Sequence, residues 1–114
     1  MLWGLSPGPE PQYSPAMIII AGSMSFDAAD RVDVLASLAE VTAASRRDTG
    51  CVEYWWAEDL EHPNTFSFYE CWESKELLDA HLAQPHEAAF AERNLSRMTG
   101  ATASMFEATA LPPG

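Results

Sequence analysis

A carboxylate and an imidazole in the middle of the chain could carry out proton-transfer chemistry. Glu70 lies in an aromatic run and His81 in a helical segment shortly after it, within the stretch "YECWESKELLDAHL". An imidazole titrates near neutral pH, and desolvation among aromatic rings raises the pKa of a carboxyl group. The two side chains are therefore candidate general bases if they share a pocket. Whether they do depends on the elements that carry them.

The first half of the chain predicts a strand followed by a helix. Residues 17–21, "MIIIA", form a β-branched run bounded by Gly22, which is typical of a buried strand. Residues 31–48 follow two aspartates, end in arginines and stop at Gly50, as an α-helix would. The apolar positions that recur at helical spacing are Leu35, Leu38, Val41 and Thr42.

The second half predicts a hairpin, a helix in two parts and a last strand. "CVEYWWAE" and "TFSFYECW" alternate in polarity, and the acidic loop "DLEHPN" joins them as antiparallel strands. Ser74 is placed to cap a helix that runs to about Leu82. Pro85 restarts a helical segment to about Met98, and "TASMFEATA" predicts the final strand. The order is strand, helix, strand, strand, helix, strand.

This order predicts an α+β, ferredoxin-like domain, in which one four-stranded antiparallel sheet carries both helices on a single face. A symmetric hairpin centred near Glu61 would pair Tyr54 with Phe68, Trp56 with Phe66 and Val52 with Glu70. The helix-covered face would then hold Val52, Tyr54, Trp56, Phe66, Phe68, Glu70 and Trp72. The bare face would hold Cys51, Glu53, Trp55, Ala57, Thr65, Ser67, Tyr69 and Cys71.

The two faces predict an assembly and a pocket. Trp55 and Tyr69 make the bare face too apolar to leave in water, so a second copy of the chain is expected to cover it. On the other side, His81 belongs to the helix stripe of Leu77, Leu78 and Leu82 and should point towards the sheet. Glu70 and His81 would then meet in one pocket, in the company of Tyr54, Trp56, Phe68 and Trp72.

Charge and composition exclude several classes of partner. The chain has 17 acidic and six basic residues and so a formal charge of −11. This charge would repel nucleic acid and anionic membranes. The chain has no apolar run of about 18 residues and no signal-peptide pattern, so a soluble, cytoplasmic protein is expected. Cys51 and Cys71, which the assumed register places opposite each other, are expected to stay reduced. No HxH, HxxE or HExxH spacing predicts a metal site.

The domain organisation follows from proline content. Residues 1–15 contain Pro7, Pro9, Pro11 and Pro15, which favours a flexible extension with little to bury. Residues 16–110 are expected to form one domain, and residues 111–114 a short tail. No internal repeat is visible.

Two strings resemble a known family. "GCVEYWW" and "EHPNTFSFYECWESKELLDAHLAQPHEAAF" resemble the antibiotic biosynthesis monooxygenase family over roughly residues 17–110 and most strongly over 50–90. The positions that carry the resemblance are Gly50, Tyr54, Glu70, Trp72, His81, Pro85, His86 and Phe90. It implies a homodimer joined sheet to sheet into an α/β barrel. Haem-degrading relatives carry a haem-ligand histidine near position 91, where this chain has Ala91.

The resemblance implies a cofactor-independent monooxygenase that uses O2 to oxidise a quinol, a polycyclic phenol or an anthrone-like molecule. His81 or Glu70 would be the base, and Tyr54 could donate to the substrate oxygen. Four aromatic side chains would form the walls: Trp56, Phe68, Trp72 and Phe90. The alternatives are an isomerase or a dimer that binds a small molecule without turnover. Each residue also has a structural alternative, Glu70 as a backbone hydrogen-bond acceptor and His81 as a core histidine.

Overall fold

A computed structural model of the chain describes residues 16–113. Four strands form, β1 (Met17–Phe26), β2 (Cys51–Glu58), β3 (Thr65–Trp72) and β4 (Met98–Ala108). The helices are α1 (Arg31–Ser45), α2 (Lys75–Leu82) and α3 (Pro85–Asn94), with 3-10 turns at Ala28–Asp30 and Leu95–Arg97. The predicted order of elements is confirmed. The predicted extension at residues 1–15 lies outside the described residues.

The strands form one antiparallel sheet in the order β2-β3-β1-β4. Alternate residues of β3 from Phe66 to Trp72 are buried under the helices, which confirms the ferredoxin-like α+β fold. None of the helices within residues 16–113 is long and apolar enough to cross a membrane.

Strand β1 is longer than the sequence predicts. It continues through Gly22 to Phe26 instead of ending at Ala21. Gly22 is needed inside the strand because a Cβ there would come within 2.0 Å of the Thr102 carbonyl oxygen and 2.8 Å of the Phe68 ring. The glycine therefore marks a close approach of neighbouring backbone and not a strand end. Strand β4 likewise begins early, with Met98 opposite Phe26.

The hairpin register differs from the prediction by two residues. Tyr54 pairs with Glu70 and Trp56 with Phe68, where the prediction paired Tyr54 with Phe68 and Trp56 with Phe66. A shift of two residues preserves the alternation of faces, so Tyr54, Trp56, Phe68 and Glu70 still point towards the helices. The error lies in the loop, which closes asymmetrically through Asn64 at φ 63°.

A β-bulge near the start of β2 changes the placement of Cys51 and Val52. The pairing shifts between Cys51 and Glu53, so Val52 is not in the ladder and remains 53 % exposed. Cys51 now lies opposite Trp72 and packs on the helix side, whereas Cys71 lies opposite Glu53. The predicted cross-strand pairing of Cys51 with Cys71 is wrong, and so is the inward placement of Val52. Both thiols are free.

Helix α1 is rotated relative to the predicted stripe. Its buried residues are Val34, Ser37, Leu38, Val41 and Ser45, whereas Leu35 is 42 % exposed. The spacing 34, 38, 41, 45 still follows one helical face. Serine at two inward positions hides this face from an apolar count, and Ser37 is buried because it accepts a hydrogen bond from Asn94 Nδ2 at 2.7 Å.

Two apolar clusters fill the space between the sheet and the helices. One joins α1 to α3 and holds Phe26, Val34, Leu38, Val41, Phe66 and Phe90. The other lies under α2 and holds Ile18, Tyr54, Trp72 and Leu78. Trp56 packs against both clusters. The candidate site lies where these clusters meet.

Candidate functional site

A cavity of about 310 Å³ lies between the sheet and α2 and α3. Its lining combines aromatic walls with two acids: Ile20, Met24, Tyr54, Trp56, Phe68, Glu70, Leu82, Glu87, Phe90, Ala91 and Leu95. Surface grooves of about 350 Å³ beside α1 and 500 Å³ at the hairpin loop are larger. The cavity is the better candidate because aromatic walls next to partly buried carboxylates are typical of ligand sites.

The cavity brings together five of the seven residues that the sequence singled out. Tyr54, Trp56, Phe68, Glu70 and Phe90 line it. Trp72 and His81 do not line the cavity, and both are fully buried, with exposed fractions of 0 % and 1 %. They lie behind Glu70, where Trp72 Nε1 donates to Glu70 Oε1 at 3.0 Å and His81 Nε2 lies 3.6 Å from the same oxygen.

The aromatic wall is a connected group of rings. Trp56 lies 4.9 Å from Phe68 and 5.7 Å from Phe90, measured between ring centroids. Trp56 Nε1 donates to the Tyr54 hydroxyl at 3.2 Å. Burial raises the pKa of Tyr54, so the phenol stays protonated. The wall therefore presents flat apolar surfaces and one hydroxyl.

Glu70 is the carboxylate that the sheet places at the cavity. It is 9 % exposed, and its Oε1 accepts a hydrogen bond from Trp72 Nε1 at 3.0 Å. Burial raises the pKa of Glu70; the Trp72 hydrogen bond and the nearby His81 oppose that rise, and Glu87 adds to it. A carboxylate with a raised pKa is a stronger proton acceptor than one in water.

His81 is clamped between carboxylates and an aromatic ring. Its ring stacks on Trp72 with centroids 4.2 Å apart, and Nδ1 lies 2.7 Å from Asp48 Oδ2. Nε2 lies 2.9 Å from Glu87 Oε1 and 3.6 Å from Glu70 Oε1, without a well-aligned hydrogen bond to either. Burial lowers the pKa of His81, but Glu87, Asp48 and Glu70 together raise it above its ordinary value.

Three residues that sequence reasoning did not assign to the site complete the cluster. Asp48 comes from the α1–β2 turn, and His86 and Glu87 come from the first turn of α3. His86 Nε2 lies 2.8 Å from the same Asp48 oxygen that contacts His81. The break between α2 and α3, where Pro85 starts the new helix, aims His86 and Glu87 back at His81. The His81 to His86 spacing across that break was the available signal.

The sequence spacing predicted no metal ligands, yet the fold assembles a ligand-type group. One donor atom from each of Asp48, His81 and His86 lies within 4.8 Å of the other two. Glu70 and Glu87 stand next to this group on the cavity side of His81. The site therefore has two compartments, an aromatic cavity with two acids and a more polar cluster behind it.

The chain belongs to the antibiotic biosynthesis monooxygenase family, whose sequence profile matches residues 17–93. An uncharacterised protein of Synechocystis sp. is 29 % identical over 77 residues, which is 68 % of this chain and 52 % of that protein. The chain thus spans about half the length of this curated relative.

Solved structures repeat the fold. A candidate antibiotic biosynthesis monooxygenase of Deinococcus radiodurans is 25 % identical, with a TM-score of 0.77 over 84 % of this chain and 96 % of that one. A conserved protein of unknown function from Bacteroides thetaiotaomicron, named as a possible oxidoreductase, is 24 % identical, with a TM-score of 0.75 over 82 % and 98 %. These likenesses establish the fold, and the profile match establishes the family.

Proposed function

We propose that the protein is a cofactor-independent monooxygenase that uses O2 to oxidise a quinol, a polycyclic phenol or an anthrone-like molecule. The observation that carries this proposal is the position of Glu70, a buried carboxylate in the wall of an aromatic cavity. Flat aromatic rings hold a planar substrate, and a cavity wall that excludes water makes the Glu70 carboxylate a stronger base. Family membership supports the reaction class.

Each site residue has a role in this proposal. Glu70 accepts the proton of the substrate, and Tyr54 donates a hydrogen bond to the substrate oxygen. His81, next to Glu70 and Glu87, stabilises negative charge on the two acids. Trp56, Phe68 and Phe90 bind the ring faces, and Trp72 orients Glu70.

The reaction balances without an added reductant. Loss of a proton to Glu70 gives a phenolate or carbanion, which transfers one electron to O2. The resulting radical pair combines at carbon to give a peroxide anion, which takes the proton back from Glu70. For an anthrone-like methylene group, the carbon ends as a carbonyl, one oxygen atom stays in the product and the other leaves as water. The substrate supplies all the electrons.

A homodimer is part of the proposal. On the face away from the helices, Trp55 stacks on Tyr69 with ring centroids 5.7 Å apart, and Trp55 remains 36 % exposed. Edge strand β4 is exposed along nearly its whole length and carries Phe106 at 54 % exposure. A second copy packed sheet to sheet would cover this apolar surface. A cytoplasmic location is proposed with it.

An isomerase is the second candidate, because the cavity holds two acids. Glu70 and Glu87 both line it, so one could remove a proton while the other returns it.

Oxygen dependence separates the two functions. A panel of quinols and anthrones should be tested for O2 uptake and product mass, without added flavin or metal and after treatment with a chelator. The monooxygenase consumes one O2 per product and stops without oxygen, whereas anaerobic turnover at the same rate would contradict it.

A further inference from the structure

The cluster behind His81 has the donors of a transition-metal site. Asp48 Oδ2 lies 2.7 Å from His81 Nδ1 and 2.8 Å from His86 Nε2. The three residues come from three separate segments, the α1–β2 turn, α2 and α3. Two imidazole nitrogens and one carboxylate oxygen are a donor set that suits Zn²⁺ and similar divalent ions.

This cluster is distinct from the aromatic cavity. Neither Asp48 nor His86 lines that cavity, and the ring of His81 separates the two, with Nδ1 facing the cluster and Nε2 facing the acids of the cavity. The side chains of Asp48 and His86 are 13 % and 22 % exposed. A small depression of about 90 Å³ reaches His86 from the surface of α1 and α3. An ion could therefore enter without passing the cavity.

The local charge favours a cation. Asp48, Glu70 and Glu87 gather around the two imidazoles, and no lysine or arginine within residues 16–113 forms an ion pair with any of these carboxylates. A ligating histidine usually offers its second nitrogen to a carboxylate. A carboxylate lies next to this second nitrogen in His81, because Glu87 Oε1 is 2.9 Å from Nε2, although the two atoms form no aligned hydrogen bond in this structure.

We propose that Asp48, His81 and His86 bind one divalent transition-metal ion of the Zn²⁺ type, with water in the remaining position. Metal–ligand bonds of about 2.0–2.1 Å at tetrahedral angles place the donor atoms about 3.3 Å apart, so the two distances from Asp48 Oδ2 to the imidazole nitrogens must open by roughly 0.5 Å. The ion would replace the shared hydrogen bonds of Asp48 and connect the α1–β2 turn, α2 and α3. This metal site goes beyond the proposed oxygenase function, and the bound ion takes no part in the oxygenase reaction.

The chain contains its own control for the binding test. It has three histidines, and the third, His62, lies in the hairpin loop with a side chain that is 68 % exposed and with Nδ1 3.2 Å from Asp59 Oδ1. His62→Gln therefore measures adventitious binding by a surface histidine. Cys51→Ser tests the thiol that follows the α1–β2 turn.

Zn²⁺ titration of chelator-treated protein by calorimetry is the direct test. One ion per chain is expected, with a dissociation constant on the order of 1 μM, weaker than that of four-ligand structural zinc sites. His86→Gln and Asp48→Asn should each weaken binding at least about 100-fold, since loss of an outer partner alone typically costs 10–100-fold. His62→Gln and Cys51→Ser should bind as the parent does. Bound Co²⁺ should show visible absorption bands that His86→Gln removes.

Thermal unfolding gives an independent reading. At a hundredfold excess over the dissociation constant, Zn²⁺ should raise the Tm of the parent and of His62→Gln by roughly 10 °C and leave His86→Gln unchanged. His86 is partly exposed, so this variant should fold even if Asp48→Asn does not. The site is overturned if the parent shows no saturable binding, or if folded His86→Gln binds Zn²⁺ like the parent.

Discussion

At the scale of single residues, Glu70 and not His81 is the group in position to act on a ligand. The imidazole is 1 % exposed and does not line the cavity, whereas the carboxylate does. The ring of His81 instead sits between Asp48 on one side and Glu87 on the other. A buried group of this kind acts through the residues that it contacts.

Trp72→Phe should show whether Trp72 stabilises the position of Glu70 or contacts the ligand directly. The substitution keeps a ring against His81 but removes the Nε1 donor, leaving a buried oxygen of Glu70 without that partner. We expect stability to fall by about 1–3 kcal/mol in urea unfolding, with ligand affinity nearly unchanged because Trp72 does not line the cavity. In a Glu70→Leu background, which has no acceptor for the Trp72 N–H, the same change should cost less. Equal costs in both backgrounds would show that the hydrogen bond contributes nothing.

The sequence predicts which surfaces carry Glu70 and His81, but it does not predict all the residues that these two side chains contact. Strand alternation and the helical stripe suffice to place Glu70 and His81 on facing surfaces. Asp48, His86 and Glu87 could not be placed in this way, because their directions depend on a glycine turn and on the break between α2 and α3. Local periodicity ends at both features.

At the scale of elements, the α1–β2 turn depends on Gly50. The residue has φ 86°, and a Cβ there would lie 2.5 Å from Leu77 Cδ1. Gly50→Ala should therefore destabilise the protein by roughly 1–3 kcal/mol, as measured by urea unfolding. Gly100→Ala is the matched control, because nothing lies within 4 Å of its added Cβ. It should stay within about 0.5 kcal/mol of the parent, and equal losses at the two positions would contradict the account.

An ion pair joins the end of β2 to the start of α1. Arg31 Nη2 donates to Glu58 Oε1 at 2.8 Å, and the Asn64 backbone N–H donates to Glu58 Oε2 at 2.8 Å. The Arg31 hydrogen bond, then the Asn64 backbone hydrogen bond, lower the pKa of Glu58 from 4.5 to about 2. Because the pKa is lower in the folded state, the pair stabilises the protein above pH 4.5 and loses this effect as the pH falls towards about 2.

Glu58→Gln should therefore reduce stability at neutral pH and approach the parent as the pH falls. The measurement is urea unfolding at several pH values from neutrality down towards pH 2. Glu92→Gln is the control, because this residue of α3 is exposed and forms no ion pair among residues 16–113. A difference between parent and Glu58→Gln that stays constant across the pH range would show that the pair does not titrate as described.

The elements themselves were largely predictable, and their alignment was not. Alternation identified β2 and β3 and the faces they present, because a two-residue error in register leaves every face unchanged. The bulge at Val52 does change the faces, because a single extra residue reverses the side of the sheet to which Cys51 points. Ser37, buried on α1, is missed by an apolar count for a similar reason, because its hydrogen-bond partner Asn94 is 57 residues away in the sequence.

At the scale of the whole molecule, the uncovered face of the sheet predicts a dimer. Tyr69→Glu would place a charge next to the stacked Trp55, where a second copy would bury it without a partner. The dimer dissociation constant from analytical ultracentrifugation should rise more than about tenfold. Val32→Glu is the control, because Val32 is 84 % exposed on α1, on the helix side of the sheet. A parent that sediments as a monomer at micromolar concentration would contradict sheet-to-sheet pairing.

The central claim is that Glu70 acts as a base inside a preformed aromatic cavity. The most direct measurement is the rate of O2 uptake by Glu70→Gln at saturating concentration of the best quinol or anthrone, beside the ligand affinity of the same variant from tryptophan fluorescence. Glu92→Gln again serves as the surface control. The account predicts a rate about 10² to 10⁴ times lower than that of the parent, with affinity and Tm close to the parent values. A folded Glu70→Gln that consumes O2 at the parent rate would contradict it.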